Sequence, residues 1–250
     1  MTAGPPRLPA PPSALLVLIR HAVTVGRRDY LLAGRTDLPL SPAGRRQARA
    51  LGRYLADWPL AGIYHSPLRR AWATADGIAR RHPGVPRAVH PDLREIDLGI
   101  VDGWPAFAAW ERWPALFAEA LDPTRADFAF PGGESRSDAL RRFLGALADV
   151  VRRHPGGVVA VVTHGALLGL ALATWTGEPP GWWRRFQPPW GSLTLVEAWP
   201  DGPTVGARVL ARGLTGGRPP RLRPAWRLPA AGPSGRPPRR FRRTPPPGRP

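Results

Sequence analysis

No cysteine, lysine or asparagine occurs in the 250 residues, and methionine appears once. The absence of cysteine excludes disulfides and thiolate metal sites and leaves the redox compartment open. All 36 basic residues are therefore arginine, a compositional bias to which no mechanism attaches. No stretch approaches about 18 uninterrupted apolar residues, so nothing reads as a membrane span. The first apolar run is short, ends in Arg20-His21 and has no small-residue cleavage site, which argues against a signal peptide and makes the cytoplasm the default location.

The formal net charge is +18, but it is unevenly spread. Residues 216–250 hold ten arginines, eleven prolines and no acidic residue, which leaves +8 for residues 1–215. Such a tail cannot bury enough apolar surface to offset its ordering entropy. Three segments follow: a Pro-rich disordered leader over 1–13, one folded domain over 14–214, and an Arg/Pro-rich disordered tail over 215–250. Weak, salt-sensitive contact of residues 216–250 with nucleic acid or another polyanion follows from their charge alone, and no membrane insertion is expected.

Leu15–Ile19 and Val158–Val162 are unbroken aliphatic runs, the pattern of strands buried on both faces of a parallel sheet. Each delivers a histidine at its carboxyl end, in Arg20-His21 and Thr163-His164, where open α/β sheets place ligands. Between them, Ser41-Pro42 and Ser66-Pro67 read as N-cap plus first-turn proline, opening helices to about Leu55 and Arg81. The second start puts Arg69 and Arg70 in a first helical turn, against the helix dipole. Solvent accommodates Arg69, and a bound anion is expected to offset the cost at Arg70.

Ala61–Tyr64 and residues 87–93 read as short strands. Residues 104–130, rich in Trp, Phe and Ala with breaks at Pro105, Pro114 and Pro123, read as a helical cap whose aromatics pack over the sheet. Ser135 with Asp138 opens a strongly amphipathic helix. Ser192–Trp199 and Thr204–Leu210 around Asp201-Gly202 read as an edge hairpin. The fold class is a three-layer α/β/α domain, with a mostly parallel sheet and an antiparallel edge. His65, His82, His90 and His154 fall in loops or at element ends and are expected at the surface.

Arg20-His21-Ala22-Val23-Thr24 resembles the Arg-His-Gly-x-Thr signature of the histidine phosphatase superfamily, which includes phosphoglycerate mutases. Further blocks match in order: Gly34–Ser41 with Gly44 and Gln47-Ala48, Ser66–Ala71 with Thr74, and Leu93-Arg94-Glu95 with Gly99 and Gly103. Pro131–Ser135 and Thr163-His164-Gly165 complete the set. The resemblance implies a phosphoglycerate mutase-like fold and a metal-independent phosphomonoesterase without cofactor, acting on a small phosphorylated metabolite. It implies His21 as nucleophile, Glu95 as acid and base, and Arg20, Arg70, His164 and Thr24 around the phosphate. A protonated His164 would add a third positive charge. Arg27 and Arg35 are weaker candidates for substrate contact, and Asp97 and Asp102 compete with Glu95 by proximity in sequence.

The chemistry requires these types together, because phosphoryl transfer needs an in-line nucleophile and positive charge around the equatorial oxygens. Guanidinium forks match phosphate better than an ammonium does. Several positions depart from the pattern. Ala22 replaces a glycine, and its methyl would crowd the loop if a left-handed backbone were needed. Val23 stands at a frequent glutamate, and Arg27 and Gly191 stand at asparagines. The rivals are mutase-type phosphoryl transfer and a non-catalytic anion-binding protein with a nucleic-acid-contacting tail.

Overall fold

The computed structural model describes residues 13–26 and 30–215. Residues 1–12 of the leader, residues 216–250 of the tail, and Arg27 lie outside them. Six strands form one sheet: β1 (Ala14–Arg20), β2 (Leu60–His65), β3 (Arg87–Val89), β4 (Val158–Thr163), β5 (Leu193–Asp201) and β6 (Thr204–Leu214), in the order β3-β2-β4-β1-β5-β6. β3, β2, β4 and β1 run parallel, while β5 pairs antiparallel with β1 and β6 antiparallel with β5. Both hairpin strands extend beyond the sequence reading, and Gly202 at the turn takes a φ of 57°.

The unbroken aliphatic runs are explained by burial on both faces. Leu15, Val17 and Ile19 pack with Val158, Ala160 and Val162 on one side, against α1 (Pro42–Tyr54) and α2 (Arg69–Ala79) through Leu51, Ala71, Ala75 and Ile78. Leu16, Leu18, Val159 and Val161 pack on the other side against α5 (Arg136–Arg153) and α6 (Gly165–Trp175) through Phe143, Leu147, Leu167 and Ala171. The three layers are as the sequence implies. α3 (Ala106–Arg112) and α4 (Pro114–Leu121) make the cap, broken at the expected prolines. A helix that the sequence reading did not assign, α7 (Trp183–Phe186), follows α6.

Three expectations are corrected. Ser41 caps α1 as read, but α2 begins later, with Leu68 at its N-cap position and no side-chain cap. The Ser66 hydroxyl accepts from the Leu68 N–H at 3.3 Å, ahead of the helix, and has a second partner described below. Phe107 is 73% exposed, and Trp104 and Trp110 are also exposed, so within the cap it is Phe117 that packs inward. His65 and His82 are buried, because β2 carries the first inward and the turn after α2 folds the second under.

Candidate active site

The register of the two central strands brings the histidines together. β1 and β4 are parallel neighbours with Arg20 opposite Thr163, so both chains end at the same level and the rings of His21 and His164 lie 5.2 Å apart. The loop after His21 is fixed from two helices. Thr74 on α2 accepts from the Ala22 N–H at 3.0 Å, and Gln47 on α1 accepts from the Val23 N–H at 3.0 Å. Among the described residues Tyr30 is the one non-glycine with positive φ, so Ala22 has ordinary backbone. Its methyl packs with Leu40 and Ala48, and the expected crowding does not arise.

His21 Nδ1 is 2.8 Å from the Ala22 carbonyl. A carbonyl only accepts, so the proton sits on Nδ1 and Nε2 is the nitrogen with the free lone pair. Burial, then Arg70, pushes the pKa of His21 well below 6.5, so the ring is neutral. His164 takes the opposite tautomer. Arg70 Nε–H donates to its Nδ1 at 3.3 Å, and its Nε2–H donates to the Ser66 hydroxyl at 2.7 Å. Burial and Arg70 push its pKa well below 6.5 too. In this arrangement His164 carries no charge, because a ring that accepts from a guanidinium is neutral.

Arg70 is 1% exposed, yet its charge is not left to an external anion as expected. Its guanidinium donates to the carbonyls of Thr36 at 2.7 Å, Ala33 at 3.0 Å and Gly34 at 2.8 Å. The same loop is gripped from its N–H side by Asp102, whose carboxylate accepts from the backbone of Gly34, Arg35 and Thr36. Asp37 accepts from the Arg69 N–H at the start of α2, and Arg69 itself is exposed as read. Arg20 donates to the Pro188 carbonyl at 2.7 Å and stacks 4.3 Å from the Trp190 ring centroid. Burial lowers its pKa to about 10, against an opposing pull from Glu95, and its buried Nε–H has no hydrogen-bond partner among the described residues.

Glu95 lies between these groups. Its carboxylate accepts from the Ile96 N–H at 3.0 Å and from the Ala166 N–H, in the first turn of α6, at 3.1 Å. Asp97 accepts from the Gly99 N–H and pairs with Arg35 at 3.3 Å, and Asp102 is committed to the 34–36 loop. Asp102 is thus occupied away from the cavity, while Asp97, held by Arg35, borders it alongside Glu95. Arg20, His21, Thr24, Arg70 and Glu95 line one cavity of about 470 Å³; His164 sits behind that wall, and Arg35 is not among the lining residues, although its partner Asp97 is.

The sequence profile described as histidine phosphatase superfamily (branch 1) matches residues 16–209. The chain belongs to the histidine phosphatase superfamily. It is 32% identical over 163 residues to the uncharacterized phosphatase PhoE of Bacillus subtilis, covering 65% of this chain and 78% of that one. It is 32% identical over 157 residues to phosphoglycerate mutase-like protein 4 of Arabidopsis thaliana, covering 62% and 68% respectively. The structure of a mycobacterial glucosyl-3-phosphoglycerate phosphatase superposes with a TM-score of 0.68 at 30% identity, covering 79% of this chain and 97% of that one. This chain is accordingly an enzyme of the phosphatase kind.

The roles of three residues of this histidine phosphatase escaped the sequence reading. Ser66, read as a helix cap, holds the His164 ring. Arg142 on α5 makes a bidentate pair with Glu134 at 2.6 and 2.7 Å and donates to the carbonyls of Asp92, Arg94 and Glu95, fixing the backbone that carries Glu95. Gly191, φ 67°, donates its N–H to the carbonyls of Arg20 and His21, so the position acts through backbone where an asparagine was expected. Glu134 stood in a matched block, but its partner lies eight residues on, in a helix otherwise legible only by its apolar stripe. Among the described residues no three His, Asp or Glu side chains gather into a metal-binding group.

A pH dependence follows. All six histidines have pKa values lowered from 6.5, burial being the first cause at each, opposed at His90 by Asp92 and Asp149. The unfolded chain then binds more protons than the folded one below pH 6.5, so stability is present above that pH and is lost as pH falls towards the folded pKa values. His21 and His164 each contribute up to about 1.4 kcal/mol per pH unit in that window. The melting temperature is expected to be flat from pH 8 to 7 and to fall between 6.5 and 5.5; a flat profile down to 5.5 contradicts the neutral buried rings.

Proposed function

We propose that the chain is a phosphomonoester hydrolase that works through a phosphohistidine at His21. The observation that carries this reading is the fixed tautomer of a neutral His21 on a cavity wall shared with Arg20, Arg70 and Glu95. Nε2 attacks phosphorus, the P–O ester bond breaks, and its electron pair leaves on the alcohol oxygen, which takes a proton from the Glu95 carboxyl. Water then gives a proton to the Glu95 carboxylate and attacks phosphorus, breaking the N–P bond and releasing inorganic phosphate. The guanidinium of Arg20, which lines the cavity, and the remaining N–H of Arg70 stabilise charge on the equatorial oxygens. Thr24 borders the same space.

A small phosphorylated metabolite is the substrate in this reading, in a cytoplasmic setting, with Leu31, Leu32, Leu98 and Leu170 among the residues that line its cavity. The test is turnover of an aryl phosphate with and without EDTA. Stoichiometric release of inorganic phosphate, indifferent to chelator, is expected. Return of the phosphoryl group to an added alcohol acceptor in preference to water would establish the mutase reading instead, and no turnover of any phosphoester would leave an anion-binding protein.

A further inference from the structure

The cavity that reaches His21 has a second cationic wall that the reaction does not use. It is built from α4, the loop 123–135, the start of α5 and α7, and presents Phe117, Phe128, Phe130, Arg136, Trp183 and Arg184. Arg136 is 5% exposed, an unusual position for a cation. It donates to the Arg125 carbonyl at 3.0 Å and the Ala120 carbonyl at 2.5 Å, with its guanidinium 5.4 Å from the Phe128 ring centroid. Arg184 lies 5.1 Å from the Trp183 ring centroid.

Arg184 bears on Arg136 as a like charge, and the acids nearby are engaged elsewhere. Arg184 is the first charge that bears on Arg136, after burial, with Asp127 opposing it. The Asp127 carboxylate is exposed and accepts from the Phe128 and Ser137 N–H groups. Glu134 is held by Arg142, and Glu119 by Arg125 at 3.1 Å. Among the described residues no carboxylate is ion-paired with Arg136 or Arg184. The arrangement is also held in place. A methyl at Gly169 would run into the Trp183 carbonyl and one at Gly181 into the Pro123 carbonyl, so α7 packs closely on α6 and the turn before it on the 123–125 loop. His21 instead responds to Arg70 and Arg20, so the two arginine pairs are separate electrostatic groups on one cavity.

We propose that Arg136 and Arg184 form a second anion subsite, so that the preferred substrates are phosphomonoesters whose alcohol carries a remote anionic group beyond an apolar or aromatic body. This substrate class rests on the phosphomonoesterase reading. One end of the ligand is taken by Arg20 and Arg70, the middle lies among the Phe and Trp rings, and the other end offsets the like charges of Arg136 and Arg184.

The experiment measures calorimetric binding of alkylphosphonates, which cannot be hydrolysed, in chain-length series ending in methyl, carboxylate or a second phosphonate. Beyond a threshold length the anion-terminated members are expected to bind about tenfold more tightly than the methyl-terminated ones. The ratio should shrink to about twofold or less in Arg184→Gln, while Arg136→Lys, which keeps the charge, should retain part of it. The carboxylate and phosphonate arms report which anion the pair favours. Equal affinity at every length, or an unchanged ratio in Arg184→Gln, would overturn the proposal. Binding with this preference but no phosphoester turnover would sink the hydrolase reading and leave the subsite standing. Turnover of an aryl phosphate with no preference would do the reverse.

Discussion

Replacing His21 with alanine is expected to lower the rate of phosphate release by a factor on the order of 10⁴ or more, with the fold retained. The residual rate comes from the arginines, which still bind and polarise the ester. Among the described residues the His21 side chain makes a single hydrogen bond, through Nδ1 to its own neighbour's carbonyl, so its removal leaves no long-range partner unsatisfied. His164 cannot take over as nucleophile although its ring is 5.2 Å away. Its Nδ1 lone pair is engaged by Arg70 and its Nε2 proton by Ser66. Steady-state kinetics with an aryl phosphate, alongside a melting curve, checks both halves of the expectation. Parent-like turnover by the alanine variant would remove His21 from the chemistry.

Arg70→Leu should cost both stability and activity. Three carbonyls of residues 33–36 lose their donor inside the protein, as does His164 Nδ1. Breaking one side of a buried charged network of this kind costs about 3–5 kcal/mol. For a domain of this size that corresponds to a fall in melting temperature of roughly 10 °C. Arg70→Lys is expected to recover little, since an ammonium on a flexible stem cannot replace a planar fork that reaches three carbonyls and a ring nitrogen at once. Thermal unfolding together with phosphate release measures the outcome. A lysine variant with parent-like melting and turnover would show that Arg70 acts only as a point charge.

The parts of the molecule that were legible in the sequence are those whose signal is local or periodic. Continuous aliphatic runs gave β1 and β4, because strands covered on both faces have no polar alternation to interrupt them. A 3.6-residue stripe through Phe143, Leu147 and Val151 gave α5. The short β5–β6 hairpin showed through Asp201-Gly202. His21, Arg20, Arg70, Glu95 and His164 could be named from ordered blocks, and the structure draws the five together from the ends of β1 and β4, the start of α2 and the loop after β3.

What the sequence did not disclose is what each polar group does with its partners. Ser66 carries a cap signature, and the Ser-Pro pattern cannot report that β2 places its hydroxyl against a histidine 98 residues away. Arg70 looked like a cation awaiting an anion, because its carbonyl acceptors belong to a loop 34 to 37 residues earlier. Asp102 looked like a rival acid until its carboxylate was found gripping the other side of that loop. Phe107, Trp104 and Trp110 resembled cap packing by composition, yet only the paths of α3 and α4 decide which rings face inward. Partner identity across long chain separations is a tertiary property, and no window of sequence contains it.

The central claim is that Nε2 of His21 accepts the phosphoryl group, and a trapping measurement addresses it most directly. The enzyme is mixed with a ³²P-labelled aryl phosphate, quenched within the turnover time in alkali, where phosphohistidine survives, and mapped by peptide. The expected result is label on the peptide containing His21, absent from His21→Ala protein. Label on another residue, or rapid phosphate release with no labelled protein at any quench time, would contradict the account.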